Sequence, residues 1–278
     1  MNGFFECHGH IFMDGDNYRT AKARHENAVD EKDIRLHLSQ LRSAGVVYFR
    51  DGGDALGVSL RARELAPEYG IEYRTPAFAI HKKDRYGGIV GREFLTYDDF
   101  ERLLEDVKAQ KGDFVKIMLS GILTFARYGE LSCPSLEREE IRTLIKLAHE
   151  AGYAVMVHVD GDEAIAAAVE AGVESVEHAY FLSEKTVDAM RERGTLWVPT
   201  LAAIEAFARR EGYDTTVAAE TLRVQQQRVR YGLERDVLVA SGSDSGAWGV
   251  PHGQGIRTEL ELLGDSCERG NEALRKLF

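Results

Sequence analysis

Short apolar runs and longer amphipathic stretches alternate along the whole chain. The apolar runs are rich in Val, Ile, Phe and Tyr and are bounded by glycine, proline or polar residues, which is the pattern of buried strands. They predict eight strands, at about 3–7, 46–51, 72–80, 114–119, 154–157, 175–177, 196–198 and 237–241.

The stretches between these runs have helical periodicity. Ile34, Leu38 and Leu41 fall on one face of a predicted helix, and Thr96 with Asp99 forms a capping box at the start of another. Helices are predicted at about 31–43, 56–69, 97–110, 136–151 and 216–233, of which the last is the longest. The segment from the first strand through residue 27 is predicted to be a polar loop.

Strict strand-helix alternation indicates a parallel sheet covered by helices. Eight units are the number that closes a (β/α)8 TIM-type barrel, and the 278 residues are close to the ~250 typical of that fold. A doubly wound open sheet is the alternative, but the Gly-X-Gly-X-X-Gly usual after its first strand is missing. No linker or change in composition interrupts the chain, so we expect a single domain over 1–278.

Composition narrows the possible partners and compartment. The net charge is −11, with no basic cluster interleaved with aromatics, which disfavours nucleic acid and anionic membranes and leaves a small-molecule substrate. No apolar run approaches the ~20 residues that span a bilayer, and no signal peptide is visible. Three cysteines without a Cys-X-X-Cys argue against a disulfide framework and favour the cytoplasm. The oligomeric state, a homo-oligomer included, is left open.

The ends of the predicted strands carry an unusual set of polar residues. In a parallel barrel these ends meet at one mouth, where barrel enzymes place their chemistry. His8 and His10, two residues apart in an extended strand, point to the same side. The full set at the strand ends is His8, His10, Lys116, His158, His178 and Asp244.

Each of these residues also has a simpler explanation. A single histidine at a strand end is more often structural than a metal ligand. Asp244 suits a turn or a helix cap, and Lys116 suits a Schiff-base nucleophile or a buried ion pair. Four histidines and an aspartate at matching strand ends are hard to produce as independent accidents, so the set predicts a metal centre.

The residues around these positions resemble the metal-dependent amidohydrolase superfamily over nearly the whole chain. The similarity is strongest to its branch of imidazolonepropionase-like proteins and Xaa-Pro or Xaa-Arg dipeptidases. It rests on these segments: Phe5-Glu6-Cys7-His8-Gly9-His10, Arg50-Asp51-Gly52-Gly53, Phe114-Val115-Lys116-Ile117-Met118 with Ser120-Gly121, Val157-His158, Val176-Glu177-His178, Val198-Pro199-Thr200 and Gly242-Ser243-Asp244.

The resemblance implies a binuclear centre that hydrolyses an amide or other C–N bond. His8, His10 and Asp244 would hold one divalent metal, His158 and His178 the other, and a carbamate on Lys116 would bridge them. Imidazole and carboxylate ligands without thiolate suit Zn²⁺, with Mn²⁺ or Fe²⁺ as alternatives. Asp244 would also be the general base and then the general acid.

Further residues near the predicted mouth are candidates for substrate contact, with a solvated loop as the simpler alternative. These are His81, Arg85, Tyr86, Arg127, Tyr128 and His252. Alternation along the sixth strand predicts that Glu177 points away from His178, into the helix layer. His37 and His149 are expected on the surface of helices, and Asp160 is expected to cap a helix.

Two departures from the family pattern bear on the substrate. Many members carry an accessory β-sandwich, and the residues outside the predicted barrel are too few to build one, so we expect a natural or trimmed barrel-only form. Dipeptidase-like relatives tend to have a second histidine where Asp160 stands, which weakens the case for a peptidase. Three rivals remain: a mononuclear deaminase, a Schiff-base aldolase using Lys116, and a metal-binding barrel without turnover.

Overall fold

A computed structural model describes residues 3–264 and 267–278. Parallel strands alternate with helices along these residues, as the sequence predicts. The strands are β1 (Phe4–Gly9), β2 (Val46–Asp51), β3 (Glu72–Arg74), β4 (Ala79–Lys82), β5 (Gly91–Phe94), β6 (Val115–Met118), β7 (Val155–Val159), β8 (Ser175–His178) and β9 (Leu196–Val198).

Eleven α-helices occupy the described residues, together with one 3₁₀ turn at Ala66–Tyr69. They are α1 (Tyr18–His25), α2 (Glu31–Ala44), α3 (Val58–Leu65), α4 (Tyr97–Ala109), α5 (Arg138–Glu150), α6 (Asp162–Glu170), α7 (Glu184–Arg193), α8 (Leu201–Ala208), α9 (Thr216–Leu233), α10 (Gln254–Leu263) and α11 (Glu268–Leu277). No helix in this part of the chain is both long and apolar enough to cross a membrane.

The strands form two parallel sheets, in the orders β1-β2-β3 and β5-β4-β6-β7-β8-β9. The predicted third strand at 72–80 is therefore split between the sheets. Pro76, which has no N–H to donate, and Ala77, with φ 68°, interrupt it. The backbone at this break still forms hydrogen bonds to the segments on both sides of it. Thr75 O accepts from Asp113 N at 2.8 Å, and Ala77 O accepts from Asp54 N at 3.0 Å.

The predicted eighth strand at 237–241 forms only an isolated bridge, between Val239 and Trp197 of β9. Its backbone bonds to strands on both sides. Leu238 O accepts from Trp197 N at 2.9 Å, and Ser241 O accepts from Cys7 N at 2.9 Å. The segment therefore joins β9 to β1 without forming a ladder.

The elements that the sequence did not predict include α1 and β5. Residues 18–25, predicted to be loop, form α1, which lacks an apolar stripe and begins where the Asn17 side chain accepts from the N–H of Arg19. The short strand β5 pairs with β4 in parallel register. Periodicity cannot reveal either element, because one has no apolar stripe and the other is only four residues long.

The apolar core has an inner and an outer part. The inner cluster includes Phe5, Tyr48, Phe114 and Met156, which come from four different strands or strand edges. The larger outer cluster packs alternate strand residues against the helices. This arrangement follows from the two-residue period of strands, and it leaves the strand ends free for polar side chains.

Candidate metal centre

His8, His10 and Asp244 come together where β1 ends. Oδ1 of Asp244 lies 3.6 Å from Nε2 of His8 and 3.5 Å from Nε2 of His10. Within residues 3–264 and 267–278, this is the one group of three or more His, Cys, Asp or Glu side chains whose candidate ligand atoms all lie within 4.8 Å of one another. Three convergent imidazole and carboxylate donors are a set that suits a divalent transition metal.

Backbone hydrogen bonds hold the two segments in this register. His8 O accepts from Asp244 N at 2.8 Å, and Ser245 O accepts from His10 N at 2.7 Å. Gly9 stands between them because a β-carbon there would lie 2.5 Å from Oγ of Ser245. The glycine between the two histidines therefore allows the segment 8–10 to lie directly against residues 244 and 245.

The ring of His8 is fixed from behind by Glu177. Nδ1 of His8 lies 2.6 Å from Oε2 of Glu177, and both side chains are fully buried. Nε2 of His8 is also buried and has no hydrogen-bond partner. A buried nitrogen without a partner is costly, and this one faces the Asp244 carboxylate at 3.6 Å.

Lys116 is buried in the middle of the β6 strand, 1% exposed. A β-carbon on Gly52 would lie 2.6 Å from Nζ of Lys116 and 2.1 Å from Cε1 of His10, so the amine lies beside that ring. Burial lowers the pKa of Lys116 to about 8, although the Asp244 carboxylate opposes the shift. Burial raises the pKa of Asp244 to about 6, and Lys116 opposes that shift in turn.

His158 and His178 extend the group along β7 and β8. The ring centroid of His178 lies 4.6 Å from that of His158 and 4.8 Å from that of His8. Nδ1 of His178 is 2.8 Å from Oγ1 of Thr200, and Nε2 of His158 is 3.4 Å from the Gly121 carbonyl oxygen. The four histidines predicted at three strand ends therefore form one continuous row of rings.

The prediction that Glu177 points into the helix layer is wrong. Val176 packs in the outer cluster, so alternation places Glu177 inside. His178 should then point outward, but it has φ 63°, and this left-handed turn redirects its ring to the centre. The alternation rule failed because it assumed that His178 was extended.

The structure also corrects three smaller predictions. His37 is buried, and its Nδ1 lies 2.8 Å from the Ile11 carbonyl oxygen. His149, predicted to lie on the surface, is half-buried and lies 3.1 Å from Glu174. Asp160 does not cap α6, because the N-cap is Gly161. Oδ1 of Asp160 instead accepts from Tyr180 N at 2.9 Å.

The candidates for substrate contact lie in different environments. Tyr86 is half-buried with its ring 5.2 Å from that of His158, at the row of histidines. His81 is buried with Nδ1 3.0 Å from the Lys82 carbonyl oxygen. Arg85, Arg127 and Tyr128 are exposed. His252 is buried, with Nε2 2.8 Å from the Met13 carbonyl oxygen and its ring centroid 4.3 Å from that of His37.

Two residues behind the histidines were not singled out from the sequence. The Arg50 guanidinium donates to Glu177 at 2.7 Å, and the Thr200 hydroxyl meets His178. Both lie within segments that carry the family resemblance. An arginine inside an apolar strand, Val46–Asp51, is the one local signal that pointed to Arg50, because a buried charge needs a partner.

The sequence matches a family model and several known proteins. The sequence model of the amidohydrolase family matches residues 1–274. An uncharacterised protein of Mycobacterium bovis is 31% identical over 174 residues, covering 60% of this chain and 46% of its own length. Ochratoxinase of Aspergillus niger is 28% identical over 240 residues, covering 82% of this chain and 45% of its own length. The chain thus spans less than half of these relatives.

Solved structures show the same fold. The crystal structure of a Xaa-Pro dipeptidase with bound methionine in the active site superposes with a TM-score of 0.76 and 22% identity, covering 99% of this chain and 73% of the other. The likeness confirms the α/β fold built on parallel sheets, and the family match extends over nearly every residue. The chain therefore belongs to the amidohydrolase family.

Proposed function

We propose that this chain is the catalytic part of a metal-dependent hydrolase that cleaves an amide or other C–N bond of a small molecule. The observation that carries this proposal is the group of His8, His10 and Asp244, with the buried Nε2 of His8 left without a partner. Family membership supports the reaction class. The bond itself would belong to a cyclic amide, a urea-type compound or a dipeptide.

The donor set fits two divalent metals. His8, His10 and Asp244 would hold one, and His158 and His178 would hold the other. Neutral imidazole is the form that ligates a metal, and burial lowers the pKa of all four histidines. Imidazole and carboxylate ligands favour Zn²⁺, with Mn²⁺ or Fe²⁺ as alternatives.

Lys116 would bridge the two metals as a carbamate. A lysine amine attacks carbon dioxide only when it is neutral; its nitrogen bonds to the carbon and releases one proton. The pKa of Lys116, lowered to about 8, supplies far more neutral amine at neutral pH than an exposed lysine does. The modification also converts a cation that repels metals into an anionic ligand.

Asp244 is placed to move the proton. When bound, divalent metals would lower the pKa of a water molecule and polarise the substrate carbonyl. The Asp244 carboxylate would accept a proton from that water and pass it to the leaving amine, first as base and then as acid. Its side chain is 17% exposed, which lets a substrate reach it.

The substrate class is proposed from the relatives and from the site together. One solved structure carries the name Xaa-Pro dipeptidase, and one relative is named ochratoxinase. Tyr86, beside His158, is the proposed substrate contact with the most direct support from geometry. Among the other candidates, His81 is buried, and Arg85 and Tyr128 lie exposed on loops.

We further infer that the two sheets make one (β/α)8 barrel. Support comes from the hydrogen bonds of Thr75 and Ala77 across the split third strand and from the bonds of 237–241 to β9 and β1. A cytoplasmic location, the small-molecule partner, the exclusion of nucleic acid and membrane, and self-association remain predictions from composition.

Metal content tests the proposed function. Wild-type protein should bind about two equivalents of metal per chain. Lys116→Ala should bind one or none, whereas Lys82→Ala, which removes a half-buried lysine paired with Glu140, should bind as wild type does. One equivalent in both wild type and Lys116→Ala would contradict the bridged centre. Hydrolysis of a panel of amides, lactams, ureas and dipeptides then tests turnover.

A further inference from the structure

A buried chain of hydrogen bonds runs from His8 to a cation on the neighbouring strand. Nδ1 of His8 lies 2.6 Å from Oε2 of Glu177, whose other oxygen accepts from Nη2 of Arg50 at 2.7 Å. All three side chains are fully buried. The Ser175 hydroxyl donates to the same oxygen of Glu177 as Arg50 does.

Arg50 also forms a hydrogen bond directly to the first strand. Its Nε donates to the carbonyl oxygen of Cys7, the residue before His8, at 2.8 Å. The guanidinium also lies over the rings of Phe278 and Phe114, at 4.6 and 5.8 Å from their centroids. One cation thus fixes both the backbone beside His8 and the carboxylate behind its ring.

Stability alone is a weak reason for such an arrangement. Taking an ion pair out of water is expensive, and apolar replacements of similar volume are often neutral or stabilising. The carboxylate instead has a chemical effect on the ring, because it accepts a hydrogen bond from Nδ1–H, which keeps the proton on Nδ1 and so fixes the tautomer. The lone pair is then on Nε2, which faces Asp244 at 3.6 Å.

We propose that Glu177 and Arg50 are positioning residues of the metal centre: Glu177 fixes the tautomer and orientation of His8, and Arg50 holds Glu177 in place. The inference rests on the proposed function, since it assigns the buried pair to a metal ligand. A carboxylate behind a ligating histidine raises its basicity, and loss of such a partner usually costs about 10- to 100-fold in metal affinity.

The test compares two buried glutamates. Glu177→Gln replaces the carboxylate behind His8, and Glu259→Gln makes the same change at another fully buried glutamate, which accepts from Ala202 N instead. Chelator competition should show Zn²⁺ affinity about 10- to 100-fold weaker in Glu177→Gln and near wild type in Glu259→Gln. Circular dichroism of the metal-free proteins checks the fold.

A double-mutant cycle separates positioning from general packing. If Glu177 acts through His8, Glu177→Gln should change Zn²⁺ affinity far less in a His8→Ala background than in wild type. Equal effects in both backgrounds, or equal losses in Glu177→Gln and Glu259→Gln, would overturn the inference. Wild type that binds no metal would instead overturn the proposed function.

Arg50→Lys decides the question if Glu177→Gln does not fold. Lysine keeps the positive charge but cannot donate to both Cys7 and Glu177 in the fixed fork of a guanidinium. We expect Zn²⁺ affinity to fall by about threefold to tenfold, less than for direct loss of the carboxylate. Unchanged affinity in folded Arg50→Lys would overturn the role of Arg50.

Discussion

Gly52 and Lys116 approach each other so closely that any side chain on the glycine would displace a neighbouring side chain. A β-carbon at position 52 would lie 2.6 Å from Nζ of Lys116, and 2.1 Å from the ring of His10. Contacts between a β-carbon and side chains from other parts of the chain are essentially never shorter than 3.0 Å, so one of these two side chains would have to move. The first prediction follows from this contact.

Gly52→Ala should remove metal from a protein that still folds. The added methyl group displaces the amine or the imidazole, and a carbamate on Lys116 needs still more room than the amine. We expect metal content to fall by at least about half, measured by inductively coupled plasma spectrometry on the purified variant. Gly88→Ala is the control, because the nearest atom to its added β-carbon is 3.9 Å away. Full metal content in Gly52→Ala would count against Lys116 and His10 as neighbouring ligands.

Thr200→Val should weaken the half of the centre that contains His178. The hydroxyl meets Nδ1 of His178 at 2.8 Å and the Tyr180 hydroxyl at 2.9 Å, and valine keeps the shape but loses both bonds. We expect affinity for the second metal equivalent to fall about tenfold, with Thr200→Ser close to wild type. Thr195→Val is a matched control, since its buried hydroxyl bonds only to the Val173 carbonyl oxygen. If the two valine variants lose metal equally, Thr200 has no particular effect on His178.

The sequence was a good guide to features that recur at equivalent positions of successive strands. The eight apolar runs and the strand-end residues could be read without coordinates, because strands impose a two-residue period and parallel strands end at one edge. His8, His10 and Asp244 meet as expected. Each of these expectations needed only local geometry and the direction of the strands.

The sequence was a poor guide where one backbone angle changes the direction of a side chain. Glu177 was assigned to the wrong face because nothing in Val176-Glu177-His178 reveals the left-handed φ of His178. The partners of His8 and His178 come from residues 177 and 200, far along the chain. Such contacts depend on tertiary packing, which a single sequence does not encode at any one position.

Glu259 should make the stability of the metal-free protein depend on pH. Burial raises its pKa from 4.5 to about 8, so the folded chain holds a proton that the unfolded chain releases. Stability conferred by that proton is complete below about pH 4.5 and is lost as pH rises through about 8. Between these limits one retained proton changes the free energy of unfolding by about 1.4 kcal/mol per pH unit.

Glu259→Gln should therefore flatten this dependence. Urea unfolding at pH 5, 6, 7 and 8 would show the free energy of unfolding of the variant increasing relative to that of wild type as the pH rises, because glutamine mimics the protonated carboxyl at every pH. Some slope should remain, since burial also raises the pKa of Glu6 to about 8. The exposed Glu101→Gln serves as control and should follow wild type. Parallel curves for wild type and Glu259→Gln would contradict the raised pKa.

Tyr86 and His252 are both candidates for substrate contact, but we expect their replacement to have different effects on kinetics and on stability. The ring of Tyr86 lies 5.2 Å from that of His158, so Tyr86→Ala should lower kcat/KM about tenfold, a loss of about 1.4 kcal/mol. His252 instead bonds to the Met13 carbonyl oxygen and packs against the ring of His37 beside the loop after β1. His252→Ala should therefore lower the free energy of unfolding by about 1–3 kcal/mol and leave KM unchanged. Steady-state kinetics and urea unfolding of both variants give the comparison, and a raised KM in stable His252→Ala would return that residue to the substrate site.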